Sequence, residues 1–243
     1  MRSGPTSFSA PPPLPSSKSP SASSSASPSS SSPSKSGPIP SPTLGTDLTP
    51  ERILSHFQQP PFPSQNVLGN DSEIATRAMT HESYKYGKEG QNRRLAFLGR
   101  RSLKLSLTLF LHTLSTSPKT SQSTKDWALK LLSDPPKVEE MITTQKLGDR
   151  IGRELGLEKV MRWTPALSDG QFGPKETGLF KVRGVCLEAL LGAILHNSGA
   201  DKARLFFNSK VLPSLVEQFF PEDTPTEAKE LCETLANEAG ESL

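Results

Sequence analysis

From about residue 47 to residue 220, apolar residues recur every three to four positions, the period of a helix with one buried face. Thr49-Pro50-Glu51 opens the first helix. Thr49 supplies an N-cap oxygen, Pro50 suits the first helical position, and Glu51 favours the positive helix end. Ile53, Leu54 and Phe57 form its apolar face; Pro60 stops it, and residues 60–63 make a rigid connector. Asp71 caps a second helix with Ile74, Ala78 and Met79 on one side, followed by a polar loop over residues 84–91. Residues 92–114 then predict one long helix, basic at its start and apolar on almost every side by its end. Leu95, Leu98, Leu105 and Leu109 lie at helical spacing, while Leu103, Leu107, Phe110, Leu111 and Leu114 fill the other sides. A helix apolar all round belongs in the middle of a domain.

A short helix follows and ends at Asp134-Pro135-Pro136, and residues 137–155 read as one further helix closed by Gly156. Residues 157–163 form a short helical turn, and residues 164–178, with Pro165, Gly170, Gly173 and Pro174, an exposed loop. Residues 179–198 are strongly apolar, with Gly192 and several Ala residues permitting close helix approach; Gly199 ends that helix. Residues 201–220 give the last core helix, interrupted near Pro213, and a short acidic helix follows residue 226. No alternation of β-branched residues predicts a strand, so the expected fold is all-α, with about eight helices.

Only 33% of the residues are hydrophobic, and the deficit is local: residues 1–44 hold 18 Ser and 11 Pro. Such a segment cannot bury enough apolar surface to offset the entropy of ordering, so residues 1–46 are expected to be disordered. It carries Arg2, Lys18 and Lys35 and no acid before Asp47, which fits either a mitochondrial transit peptide or a plain disordered tail. Residues 45–220 carry 24 Lys and Arg against 18 Asp and Glu, whereas residues 221–243 carry one Lys against seven acids. The expected division is therefore a basic helical domain at 47–220 and an acidic tail or helix at 221–243. A basic domain suits a polyanionic partner. Cys186 and Cys232 make neither a disulfide framework nor a metal site and are expected to be small buried apolar residues. No run reaches the roughly 18 apolar residues of a membrane span.

Four segments in order carry a resemblance. Ala78-Met79-Thr80-His81-Glu82-Ser83-Tyr84 looks like A-x-T-H-x-S-Y. Asn92-Arg93-Arg94-Leu95-Ala96-Phe97-Leu98-Gly99-Arg100 is close to N-E-R-L-E-F-L-G-D. Lys146-Leu147-Gly148 through Arg153-Glu154-Leu155-Gly156-Leu157 looks like N-x-x-L-A-x-x-A-R-E-L-G-L. Leu187-Glu188-Ala189-Leu190-Leu191-Gly192-Ala193-Ile194 matches E-A-L-I-G-A-I, with Asn197-Ser198-Gly199 after it. Together they resemble the ribonuclease III catalytic domain over about residues 48–220, which implies that family's helical endonuclease fold.

The family hydrolyses double-stranded RNA with magnesium held by clustered carboxylates. Carried over residue by residue, the first acidic set falls on Arg93, Ala96 and Arg100, and the second on Val185 and Glu188. Only Glu188 keeps a carboxylate, and Arg93 and Arg100 would repel a divalent cation. The expectation is therefore no metal site, no cofactor and no ribonuclease activity, with Glu188 paired to Arg93 or Arg100. Lys85, Lys88, Arg93, Arg94, Arg100, Arg101 and Lys104, with only Glu89 among them, suit RNA phosphates, or else an acidic partner protein or pairing with local acids. No aromatic stacking platform is interleaved, so base readout is not expected. The missing double-stranded-RNA-binding domain makes the chain look most like the degenerate ribonuclease III-like proteins of fungal mitochondrial large ribosomal subunits. That resemblance implies ribosomal RNA, other ribosomal proteins and a second ribonuclease III-like protein as partners, the last as a heterodimer along the signature helix. The alternatives are a non-catalytic partner of an active ribonuclease III and an active endoribonuclease.

Overall fold

The helices begin where the sequence offers caps. Thr49 Oγ1 accepts the Arg52 N–H to start α1, Pro50–His56, and Asp71 accepts the Glu73 and Ile74 N–H groups to start α2, Ser72–Met79. Ser121, Asp134 and Thr143 do the same for α4, Gln122–Leu132, α5, Pro135–Met141, and α6, Thr144–Asp149. The computed structural model describes residues 43–63, 67–167 and 172–243. The expectations for the N-terminal segment up to residue 42 and for the tip of the 164–178 loop therefore lie outside the described residues. The remaining elements are α3, Arg93–Thr116, α7, Ile151–Glu154, α8, Leu179–Phe206, α9, Leu212–Gln218, and α10, Thr226–Ser242. The described residues contain no strand, only isolated bridges from Leu44 to Trp163 and from Thr80 to Arg162, and the fold is all-α as expected.

One predicted helix is three. Residues 137–155 break into α5, α6 and α7, because Thr143 turns extended and its hydroxyl caps α6, and the helix is interrupted again at Arg150. The first break turns the Ile142 carbonyl out of any helical ladder, which matters below. In α8, Gly199 interrupts the helix with φ 86 and ψ 175, where the sequence had placed its end.

The long pair α3 and α8 forms the centre, and its glycines decide how closely the two approach. A Cβ on Gly99 would sit 1.7 Å from the Glu188 carbonyl oxygen, and one on Gly192 would sit 2.0 Å from that of Leu95. A second such contact joins α6 to α8: a Cβ on Gly148 would lie 1.8 Å from the Phe180 oxygen, and one on Gly184 as close to that of Thr144. Around these seams Leu103, Leu107, Leu111 and Leu114 of α3 are fully buried with Leu187, Leu190, Leu191 and Ile194 of α8. Phe57, Phe62 and Phe206 pack ring to ring beside them.

Two details differ from the sequence expectation. The far side of α3 is not covered: Phe97 is 64% exposed, Leu105 59% and Leu109 44%. Residues at spacings of four share one stripe, so these three, with Arg101, form an unpartnered apolar face. The acidic segment, in turn, is docked. Glu227 accepts the Ser121 N–H at 3.0 Å and its hydroxyl at 2.9 Å, fastening the start of α10 to the start of α4, and Ala228, Cys232, Ala239 and Leu243 are buried beneath α10. No described helix is long and apolar enough to cross a membrane.

Candidate functional site

The glycine seam places Arg100 and Glu188 side by side, since each lies next to the point where α3 and α8 touch. Arg100 Nη1 donates to Glu188 Oε1 at 3.3 Å and to the Ile142 carbonyl, and Nη2 donates to Glu139 Oε2 at 2.6 Å. Thr144 Oγ1 donates to the same Glu188 oxygen at 2.9 Å, and Lys104 Nζ pairs with Glu139. Three acceptors, from α5, α8 and the α5–α6 break, thus converge on one guanidinium, and Thr144 and Lys104 hold the two carboxylates. The pairing of Glu188 is with Arg100; no ion pair joins it to Arg93 among the described residues.

The two carboxylates respond oppositely. The Glu188 side chain is 7% exposed, and burial pushes its carboxyl above the ordinary range against the pull of Thr144 and Arg100. Glu139 faces the solvent side, and the Lys104 hydrogen bond, aided by Arg100, holds it below that range. Divalent magnesium needs several free carboxylate and water oxygens around one point. Here a fixed cation stands between the two acids, and oxygens of both are engaged with it. The residues present do not fit the family's metal. Among the described residues no group of three His, Cys, Asp or Glu side chains is arranged to hold any metal ion.

The other carried-over positions fall elsewhere. Ala96 is buried, Val185 packs half-buried against the core, and Arg93 is exposed at the start of α3. Of the basic residues, Arg100 and Lys104 are tied to Glu139 and Glu188, and Lys85 is tied to Glu89 at 2.6 Å. Arg101 lies over the Phe97 ring, 4.9 Å from its centroid. Lys88, Arg93 and Arg94 are exposed and form no ion pair among the described residues. Asn92, the first residue of the signature, is structural: its side-chain amide donates to the Ala78 carbonyl at 3.1 Å.

Sequence reasoning missed Glu139 and Arg183. Arg183 is 3% exposed and donates to the Gly148 and Asp149 carbonyls and to Glu158, clamping α6 and the turn after α7 to α8. Its one signal was a charge inside a strongly apolar run.

Residues 71–215, more than half of the chain, match the family model described as ribonuclease-III-like. The chain belongs to the ribonuclease-III-like family. It is 32% identical over 151 residues to the large ribosomal subunit protein mL57 of Neurospora crassa, covering 57% of this chain and 53% of that protein. It is 30% identical over 164 residues to ribonuclease 3 of Thermobifida fusca, covering 66% of this chain and 58% of that one. The chain therefore spans little more than half the length of these relatives. The nuclease domain of ribonuclease III from Campylobacter jejuni aligns over 70% of this chain and 98% of its own, at 21% identity and a TM-score of 0.44. In this ribonuclease-III-like chain Leu95 and Gly99 meet α8 at the seam, and Arg100 directly follows that contact.

Proposed function

We propose that this chain is a non-catalytic ribonuclease-III-like constituent of the mitochondrial large ribosomal subunit. In this role it contacts ribosomal RNA and pairs with a second ribonuclease-III-like protein. The observation that carries the loss of catalysis is the Arg100 guanidinium between Glu188 and Glu139: it satisfies the buried acid that a metal would otherwise neutralise. The ribosomal role is supported by the identity with a protein named for the large ribosomal subunit, and a mitochondrial address by the acid-free, Ser-rich N-terminal segment.

The exposed stripe of α3 supports pairing. Leu98, Leu105 and Leu109 with Leu195 of α8 line an open groove of about 370 Å³ flanked by Arg101 and by Arg204 and Asp201, which pair with each other at 3.9 Å. α3 carries five basic residues and no acid. In a two-fold homodimer each surface meets its own copy, so Arg101 would approach another basic face. A different chain with an apolar helix flanked by acids avoids that repulsion, which favours a heterodimer. Lys88, Arg93 and Arg94 remain free for phosphates.

The test is sedimentation of mitochondrial lysate at high salt with the tagged full chain. The chain is expected to travel with the large subunit. If it stays at the top of the gradient while that subunit is intact, the ribosomal reading is wrong. Purified chain that cuts double-stranded RNA with magnesium or manganese would overturn the non-catalytic reading.

A further inference from the structure

The hydroxyl-bearing residues of α3 behave in two ways. Thr108, Thr113, Ser115 and Thr116 each donate to the carbonyl three or four residues back, at 2.8–2.9 Å, the usual partner of a hydroxyl inside a helix. Ser102 and Ser106 do not. Neither hydroxyl has a hydrogen bond among the described residues, and both serines line the open groove that Leu98, Leu105, Leu109 and Leu195 also line. Ser106 is only 7% exposed, and Ser102 is half-buried.

Residues four apart share one helix face, with about 5–6 Å between their Cβ atoms. The two serines therefore form a polar notch one turn long in an otherwise apolar floor. The charges of the groove stand at its edges: Arg101 is exposed, and Asp201 and Arg204 pair with each other. A wholly apolar surface laid over the groove would strand both hydroxyls, and that penalty offsets much of the apolar gain. A carboxylate brought to the notch would lose its hydration with no cation on the floor to replace it. A side-chain amide fits, because its oxygen accepts from one hydroxyl and its NH2 group donates to the other.

We propose that Ser102 and Ser106 determine the specificity of this surface, which takes a helix of a second chain that brings an Asn or Gln side chain to the notch within an apolar stripe. The inference rests on the pairing reading above and adds to it what selects the partner. A polar match inside an apolar contact fixes partner and register, because every mismatched partner leaves a buried polar group unpaired.

The test uses the full chain and the second ribonuclease-III-like protein that sediments with it, co-expressed and purified as a pair, with a dissociation constant measured for each variant. Ser102→Ala with Ser106→Ala is expected to weaken pairing by roughly 5- to 150-fold, because the partner's amide loses its hydroxyls. The same variant by itself should keep or slightly raise its urea midpoint, since Ala favours a helix, so the loss is not a folding defect. Replacing the facing Asn or Gln of the partner by Leu should weaken the wild-type pair and cost little more against the doubly substituted chain. Leu105→Glu should abolish pairing in every background. If Leu105→Glu abolishes pairing while the doubly substituted chain pairs as tightly as wild type, or more tightly, the notch faces an apolar surface; the proposal is then overturned and the pairing reading stands. A full chain that self-associates by light scattering, and loses that self-association with both serines replaced, assigns the notch to a second copy and also overturns the proposal. Pairing that survives Leu105→Glu, or a large-subunit fraction that holds no such partner, overturns both.

Discussion

Glu188 gives up most of its hydration at the α3–α8 seam, and Arg100 is what makes that tolerable. Its raised carboxyl weakens the fold above the ordinary carboxylate range, and this cost fades as pH falls and the group takes up a proton. Glu139 acts in the opposite sense: its contribution is present above its ordinary range and is lost as pH falls through its lowered value. Arg100→Ala leaves Glu188 buried without its cation. The expected loss is about 2–3 kcal/mol near neutral pH, below that of a fully buried pair because the Arg100 side chain is 26% exposed. Urea denaturation should show that deficit narrowing on acidification, and Arg100→Ala with Glu188→Gln should recover much of it. A deficit independent of pH would mean that Glu188 is not its cause. At this scale the sequence narrowed the partner of Glu188 to Arg93 or Arg100, and the structure selects Arg100. Glu139 was not legible, since it reaches Arg100 from 39 positions away through a helix break.

At the scale of elements, the seam between α3 and α8 is set by backbone against backbone. Gly99→Ala would force a methyl group into the Glu188 peptide, where no flexible side chain can give way. The expected cost is at least about 2 kcal/mol, read as a lower urea midpoint, together with loss of the Arg100–Glu188 register. An unchanged midpoint would mean that the helices separate freely. The helix starts at Thr49 and Asp71 were legible, because those side chains act locally, whereas Asp134, read as the end of the helix before it, also caps α5. The split of residues 137–155 was not legible. Apolar spacing continues across Thr143, and only the docking of α6 on α8 through Gly148 and Gly184 makes the break the better arrangement.

For the whole molecule, the charge of α3 divides by depth. Arg100 and Lys104 are spent internally, and Arg93, Arg94 and Arg101 remain outside. The apolar stripe between them contributes nothing to the packing of this chain, so Leu105→Glu should leave the urea midpoint within about 0.5 kcal/mol of wild type. It should nevertheless abolish pairing with the second ribonuclease-III-like protein, measured by size-exclusion chromatography with light scattering. Intact pairing would move the interface off this face.

The sequence by itself determined the all-α class, the first two helix caps and the family resemblance, because spacing, capping and motif identity are properties of neighbouring residues. The tertiary structure decided what long-range contact alone decides. Arg100 is an internal counter-ion for two acids, and one side of the central helix is left uncovered. The physical reason is the same in each case. Burial and charge pairing depend on which segments a glycine seam brings together, and one-dimensional periodicity does not record that.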